Sequence, residues 1–594
     1  MSDLDLGVVG NSAIAALIDG RGRIVWSCFP RLDGDPVFHS LLGASPQGDE
    51  GVFEVDLKGF KRSERRYWPN TAILETILES EDGSKVRIVD FAPRFKMYGR
   101  LFRPAMLMRS VEPLVGSPMI RIRIRPSHDY GRERAETTRG SNTIRYHLGD
   151  QTLRLTTDGS PGLIRDEVPF ILERPLTLIL GPDETLPEAP ATLFGKFCEN
   201  TEDYWREWVR YLAIPFEWQD VVIRAAITLK LCAYEETGGI VAALTTSVPE
   251  YGASGRTWDY RYCWLRDSFF TVRALNRLGA TRTMEDYISY VSNVVARTGD
   301  RELQPLFGLQ FEAQLHEEIV PALPGYRGFG PVRRGNDAFR QRQNDGYGSV
   351  VLAISQCFFD ERLIRKGDVA LFERLEGLGE HAARLWAEPD AGLWEYRTLA
   401  NVHTHSSAMC WAACDRLARI AGRLGLSDRA VYWREKADLI RDGIFARGWN
   451  AELGTFVSRF GGDDVDASLL LLADIGLVEA EDPRFISTVD FIGQRLRHGT
   501  HLFRYAGEDD FGEPETAFTI CTLWYIEALA KVGRREEARV LFEDVLGRRN
   551  GLGLLSEGIH VESGELWGNF PQTYSMVGLI HAALSLSASW EDAF

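Results

Sequence analysis

The sequence predicts a multidomain protein: an N-terminal antiparallel β-sandwich, then an all-α domain built as two concentric rings of six helices. Three observations carry that reading. The 594 residues, 44% of them hydrophobic, are too many for one ordinary core and sufficient for more than one. Segments that alternate apolar and polar side chains at every second residue fill the first third of the chain and stop near residue 190. Beyond that point the apolar period is helical, and the helices come in two alternating kinds.

Residues 1–190 read as the sandwich. Ala15-Ala16-Leu17-Ile18-Asp19 and Arg23-Ile24-Val25-Trp26 flank the turn Gly20-Arg21-Gly22, while Lys85 to Phe91 and Met119 to Arg125 alternate as strands with one buried face do. Glu81-Asp82-Gly83 and Thr157-Asp158-Gly159 supply hairpin-type turns. Residues 191–214 read as a helical linker, because Phe194, Phe197, Tyr204, Trp205, Trp208 and Leu212 stand near helical spacing.

Residues 215–594 form the predicted helical domain. Thr283 to Arg297, Asp368 to Trp386, Ser427 to Arg447, Phe485 to Arg497 and Arg534 to Arg548 each carry a charged face. Between them, Gly348 to Phe359, Ser406 to Cys414, Ala467 to Ala473, Ala517 to Ala530 and Tyr574 to Leu586 are apolar nearly all round. A helix with one wet face lies at a surface, and one that is apolar all round is enclosed by others, so the two kinds form an outer and an inner ring. Every loop from an outer to an inner helix then emerges at one rim. Those loops fall near residues 251–266, 299–345, 389–405, 448–466, 499–516 and 549–571, a helix-pair period of roughly 50–75 residues.

Bulk composition excludes several functions. With 68 basic against 85 acidic residues, formally −17, and no basic run, the chain fits neither a nucleic acid nor an anionic membrane and fits a neutral ligand better. The start Met-Ser-Asp-Leu-Asp-Leu-Gly lacks a secretory pattern and no apolar run is long enough for a bilayer, so a cytoplasmic location is expected. Cys232, Cys357, Cys410, Cys414 and Cys521 sit in apolar helical patterns without CxxC spacing, which predicts neither disulfides nor zinc. His403-Thr404-His405 has no third ligand, so no metal and no cofactor are expected. Glu312, Glu317 and Glu318 are either substrate contacts or a wet acidic face, and stay outside the predicted site.

Two rim loops carry the candidate chemistry. Glu395 lies in Asp390-Ala391-Gly392-Leu393-Trp394-Glu395-Tyr396-Arg397, and Glu557 in Leu554-Leu555-Ser556-Glu557-Gly558. Splitting an acetal takes a protonated carboxyl for the leaving oxygen and a second carboxylate that activates water or attacks the sugar. Sugars offer flat apolar faces and rings of hydroxyls, which aromatics with Asp and Arg recognise. The rim supplies Trp258, Tyr260, Trp264, Trp394, Tyr505 and Trp567 beside Arg266, Asp267, Arg397 and Arg504. Each has a plainer reading: a glutamate after a tryptophan is usually a solvated loop residue, and Arg266 with Asp267 would also serve as an ion pair capping an inner helix.

Several stretches add a resemblance. Gly10-Asn11 through Phe29-Pro30-Arg31-Leu32-Asp33, Trp258-Asp259-Tyr260-Arg261-Tyr262-Cys263-Trp264-Leu265-Arg266-Asp267, Gly392-Leu393-Trp394-Glu395, Arg504-Tyr505, and Ser556-Glu557 with Gly568-Asn569-Phe570-Pro571-Gln572 resemble glycoside hydrolase family 15 over nearly the whole chain. This is the glucoamylase, glucodextranase and bacterial trehalase family. The resemblance implies an (α/α)6 barrel and inversion at the anomeric carbon, with Glu395 as general acid and Glu557 as general base. It further implies that Arg266 and Asp267 grip the hydroxyls of the non-reducing sugar, that Tyr260 and Trp264 line its pocket, and that Arg504 bridges two sugars; Trp394, Arg397 and Trp567 complete the expected substrate-binding set. Fungal glucoamylases follow the acid with a second glutamate where this chain has Tyr396 and then Arg397, so the leaving-group site should differ.

The expected function is an inverting, exo-acting α-glucoside hydrolase that releases β-glucose from non-reducing ends of α-glucans, short α-glucosides or trehalose. The alternative is a carbohydrate-binding or regulatory protein that kept the barrel with weak turnover. Because a general acid must hold its proton in the working state, an acidic pH optimum is expected.

Overall fold

A computed structural model describes residues 3–43 and 50–593. Its N-terminal part is two antiparallel sheets. The seven-stranded sheet contains Gly7–Gly10, Ala15–Ile18, Ile24–Phe29, Asp35–Phe38, Val52–Leu57, Met119–Arg125 and Phe170–Ile171. The eight-stranded sheet runs Glu136–Arg139, Thr143–Leu148, Gln151–Thr157, Leu176–Pro182, Leu107–Val115, Lys85–Phe91, Leu74–Ser80, Phe60–Tyr67. Both sheets contribute to one apolar core, with Ile18, Phe53 and Ile122 from the first and Ile88, Val111 and Leu178 from the second.

Met119–Arg125 buries Ile120, Ile122 and Ile124 and leaves its arginines half exposed, the alternation of a strand with one wet face. Lys85–Phe91 departs from alternation at its end, where Val89, Asp90 and Phe91 are all buried. The helix Pro190–Arg210 explains this by covering the second face of that sheet. Its Leu193 and Cys198 pack with Val89, Phe91, Met108 and Ile179, and Phe194 meets Phe91 edge to face with ring centroids 5.2 Å apart.

Beyond it the helices alternate in position. Gln219–Leu231, Thr281–Thr298, Val369–Leu385, Ser427–Arg447, Pro483–Leu496 and Arg535–Gly547 are outer; Asp267–Arg277, Asp345–Phe359, Thr404–Arg423, Thr519–Lys531 and Thr573–Leu586 are inner. The remaining inner place is held by a short 3₁₀ turn, Ala467–Leu471. The inner elements pack against one another in succession and the last packs on the first, closing the ring. Thr281–Thr298 buries Met284, Tyr287, Ile288, Val291, Val294 and Val295, one helical face, whereas Asp345–Phe359 is buried almost throughout. A regular helix was expected at Ala467 to Ala473. Instead Leu469, Leu470 and Leu471 fill the ring core from a tighter turn, and Gly476 at φ 82° redirects the chain soon after.

The sandwich and the helical domain share apolar packing, since Leu6, Trp26 and Cys28 belong to the same core as Val222 and Ala226 of the first outer helix. Trp26 Nε1 donates to the Leu244 carbonyl at 2.8 Å, and Ser12 Oγ to that of Lys230 at 2.8 Å. The eight cysteines are buried free thiols. Among the described residues no helix is long and apolar enough to cross a membrane, and no group of three His, Cys, Asp or Glu is placed to hold a metal ion.

Candidate active site

The outer-to-inner loops converge on one cavity lined by Tyr260, Trp264, Arg266, Asp267, Trp394, Glu395, Arg397, Arg504 and Glu557. Glu395 is presented by a tight turn. Gly392 sits at φ 66°, and a Cβ there would stand 2.7 Å from the His403 ring. Glu395 itself has φ 59°, the left-handed region that side chains disfavour. The turn is held by Glu395 N donating to Gly392 O at 3.2 Å and by the Asp390 carboxylate, which accepts from Asn344 N and Ser406 Oγ, both at 2.8 Å. Backbone strain at a carboxylate in a cavity points to function.

Three donors converge on a single oxygen of that carboxylate. Glu395 Oε1 accepts from Trp264 Nε1 at 2.6 Å, Gln343 Nε2 at 3.1 Å and Arg266 Nη1 at 3.3 Å. This leaves Oε2 for the cavity.

Glu557 is only 3% exposed, and its Oε1 accepts from Tyr260 OH at 2.7 Å. Its backbone is fixed by Thr519 N donating to Glu557 O at 2.9 Å and by Glu557 N donating to Asn569 O at 3.2 Å. Gly568 backs the carboxyl at φ 80°, and a Cβ there would lie 2.5 Å from Glu557 Oε2. Oε2 has no hydrogen-bond partner within the protein, a buried acceptor that calls for a donor from outside, such as water or a hydroxyl. Tyr260 and Trp264 pack edge to face with centroids 5.4 Å apart, so the two carboxyls hang from neighbouring rings of one loop. Burial, and then the nearby Glu250 carboxylate, push Glu557 up to about 8, against the pull of Tyr260 OH and Arg504.

Arg266 Nε lies 3.7 Å from Asp267 Oδ1, beyond hydrogen-bond length, and the guanidinium instead donates to Glu395, to Gln343 Oε1 at 3.1 Å and to Leu393 O at 3.0 Å. Burial works against its charge, but Glu395 and Asp267 more than offset this and hold the cation firmly. Asp267 opens an inner helix, and its Oδ1 has no hydrogen-bond partner. Burial, opposed by Arg266 and reinforced by Glu395 and Asp345, pushes it up to about 7. Nearby, burial lowers His403 to about 4 and His405 to about 3, which keeps both neutral. Trp394 donates from Nε1 to Asp466 Oδ2 at 3.0 Å, and Arg504 Nη1 meets Glu250 Oε2 at 2.9 Å.

Trp567 is a correction, because it does not line this cavity. Its residue pairs with Gly558 in a short strand, and its ring packs among Tyr251, Tyr326 and Phe329. Conversely, Glu250, Gln341, Asp509, Asp510 and Tyr574 line the cavity and were not foreseen. Gln341 and Gln343 did carry a signal: the polar run Gln341-Arg342-Gln343-Asn344-Asp345 leads into an inner helix just as Arg266-Asp267 does. Glu250 carried none.

Comparison with known proteins gives the family. Residues 218–584 match glycosyl hydrolases family 15, and residues 5–166 match the family described as trehalase-like, N-terminal. The chain belongs to glycosyl hydrolases family 15. It is therefore a glycoside hydrolase. It is 30% identical to a trehalase of Thermoplasma volcanium, covering 98% of this chain and 93% of that one. A trehalase of Mycolicibacterium smegmatis is 31% identical over 99% of this chain and 92% of its own. The fold is similar to that of a bacterial glucoamylase complexed with acarbose, at a TM-score of 0.70 and 13% identity over 98% of this chain and 93% of that one.

Proposed function

We propose that the protein is an inverting α-glucoside hydrolase acting on trehalose, with Glu395 as general acid and Glu557 as general base. The observation that carries the chemistry is the pair of glutamates in one cavity, each hydrogen-bonded to one ring of the Tyr260–Trp264 pair. The substrate follows from relatives named trehalase that align over nearly the whole of both chains.

In this mechanism Arg266 and Asp267 hold the hydroxyls of one glucose at the cavity floor. Glu395 gives its proton from Oε2 to the bridging oxygen as the C1–O bond breaks. The charge left on Glu395 develops beside the Arg266 guanidinium and the Trp264 N–H, donors already in place. Glu557 Oε2 takes a proton from a water whose oxygen bonds to C1 on the opposite face. That water needs a carboxyl separation of roughly 6.5–9.5 Å rather than the roughly 5–5.5 Å of double displacement.

Proton NMR of the fresh reaction tests the proposal. Inversion gives β-glucose from the attacked ring and α-glucose from the departing ring in equal initial amounts. Initial α-glucose alone would overturn the assignment of Glu557 as general base, and folded protein that leaves trehalose intact would overturn the substrate.

A further inference from the structure

Past Glu395 the cavity wall carries interactions that neither the family membership nor the two-carboxylate chemistry requires. A general acid protonates the departing oxygen, so the leaving sugar lies on the acid's side, where Tyr396 and Arg397 follow Glu395. Glu317, in the long loop before the inner helix Asp345–Phe359, accepts Arg333 Nη1 on Oε1 at 2.7 Å and Arg397 Nη2 on Oε2 at 2.8 Å. Both guanidiniums rest on the Trp258 ring, 5.1 Å and 4.2 Å from its centroid. The Glu317 side chain is only 10% exposed, whereas Arg333 keeps 15% and Arg397 31% of theirs, and both bonds are charge-assisted.

Across from them runs the loop segment 509–512. Asp510 accepts from the backbone N–H of Arg397 at 2.5 Å and of Thr398 at 3.1 Å. Arg256 Nη2 donates to Asp509 Oδ1 at 2.6 Å and to Gly512 O at 2.7 Å. Phe511 sets its ring edge to face against Trp258, with centroids 5.3 Å apart. Trp258, Arg397, Asp509, Asp510 and Phe511 all line the cavity that holds Glu395 and Glu557.

We infer that Asp509, Asp510 and Phe511 form a strap that closes the leaving-group end of the cavity, so that the site takes a disaccharide and rejects the same substrate lengthened by a further sugar. The inference rests on the α-glucosidase reading above and adds its size limit. A third ring must pass between Phe511 and Trp258, and doing so breaks the Asp510 bonds to Arg397 and Thr398. Rejection then comes from hydrogen bonds broken within the protein as well as from crowding of the ligand.

The test compares kcat/KM for trehalose with that for trehalose carrying one additional α-glucosyl unit on one ring, in the wild type and in the variants Asp510→Ala, Phe511→Ala and Glu317→Gln. Thermal denaturation monitors their folding. Wild type should prefer trehalose by about 100-fold or more, and loosening the strap should narrow that preference by about tenfold. Equal efficiency on both sugars in the wild type, or an unchanged ratio in the folded variants, would overturn the size limit. Absence of trehalose hydrolysis by the wild type would instead overturn the substrate reading beneath it.

Discussion

Glu250→Gln should move the pH dependence of the reaction without touching either proposed catalytic residue. Glu557 must be ionised to accept a proton from water, yet burial and the Glu250 carboxylate hold its proton up to about 8. The charged groups facing Glu557 are Glu250 and Arg504, with the Tyr260 hydroxyl; Glu250 itself, 8% exposed, faces Arg504 at 2.9 Å and Arg256 at 3.9 Å. The acid limb of kcat/KM in the wild type is therefore expected well above the ordinary carboxylate range, contrary to the acidic optimum inferred from the general acid alone. Removing the Glu250 charge takes away a like neighbour and releases Arg504 toward Glu557, and both effects lower the proton affinity of Glu557. A neighbouring charge typically moves a carboxyl by about 1–3 units, each worth about 1.4 kcal/mol, so the acid limb should shift down by ~1–2 units. The assay is kcat/KM against pH, which reports the free enzyme. A limb that stays in place while the rate drops uniformly, or one that moves to higher pH, would refute the argument.

Glu395→Gln and Glu557→Gln should each leave the fold intact and lower kcat by about 100-fold or more, the usual scale for a positioned acid or base; near-normal turnover in either variant removes that residue from the mechanism. Gly568→Ala would place a Cβ 2.5 Å from Glu557 Oε2 at a φ of 80°, so it should cost about 1–3 kcal/mol in urea denaturation and lower kcat, whereas an unaffected kcat would show that Gly568 does not position Glu557. Stability should fall with rising pH above neutrality. Burial raises the folded-state values of Asp267 and Asp390 to about 7, and burial with Glu250 raises that of Glu557 to about 8, so the stabilisation from their bound protons is complete below the unfolded values and is lost as pH rises through the folded ones. His39, His403 and His405, held neutral by burial, act in the opposite sense, but this is half spent at their unfolded value of about 6.5 and fades over the next pH unit. Tm should therefore drop between about pH 6.5 and 8.5, and a rise over that window would contradict the burial argument.

The sequence made the helix rings legible because burial follows directly from which faces are apolar, and inner helices such as Asp345–Phe359 are apolar on every face. It did not reveal that Met119–Arg125 lies beside Val52–Leu57, a pairing set by sheet closure and absent from any local pattern. Nor did it distinguish a helix from a 3₁₀ turn at Ala467–Leu471, where all-round apolarity fits both. The site divides along the same line. Residues inside one contiguous stretch, such as Tyr260, Trp264 and Arg266, were readable together. Glu250 and Glu317 were not, because each acquires its role only when other loops bring Arg504, Arg333 and Arg397 against it. Trp567 shows the converse: membership of the rim says nothing about where a ring points once its residue pairs with Gly558.

The stretch from Trp258 to Asp267 also ties the β-sandwich to the cavity of the helical domain. Its first half is extended, held by Ser247 N to Trp258 O, Ala243 N to Tyr260 O and Ala242 N to Tyr262 O, each at 2.9 Å. Side chains of an extended segment alternate in direction. Trp258, Tyr260 and, further on, Trp264 line the cavity, whereas Asp259 and Arg261 are fully buried away from solvent. Arg261 pairs with Asp259 through Nε and Oδ1 at 2.9 Å, donates from Nη1 to Gly34 O at 2.8 Å and meets Tyr130 OH, the last two belonging to the sandwich. A buried guanidinium is strongly destabilising unless its donors are paired, so these bonds fix the segment against the sandwich. One residue away, Tyr260 hands that placement to Glu557, and Trp264 hands it to Glu395. The sandwich thus braces from behind the segment from which both carboxyls hang.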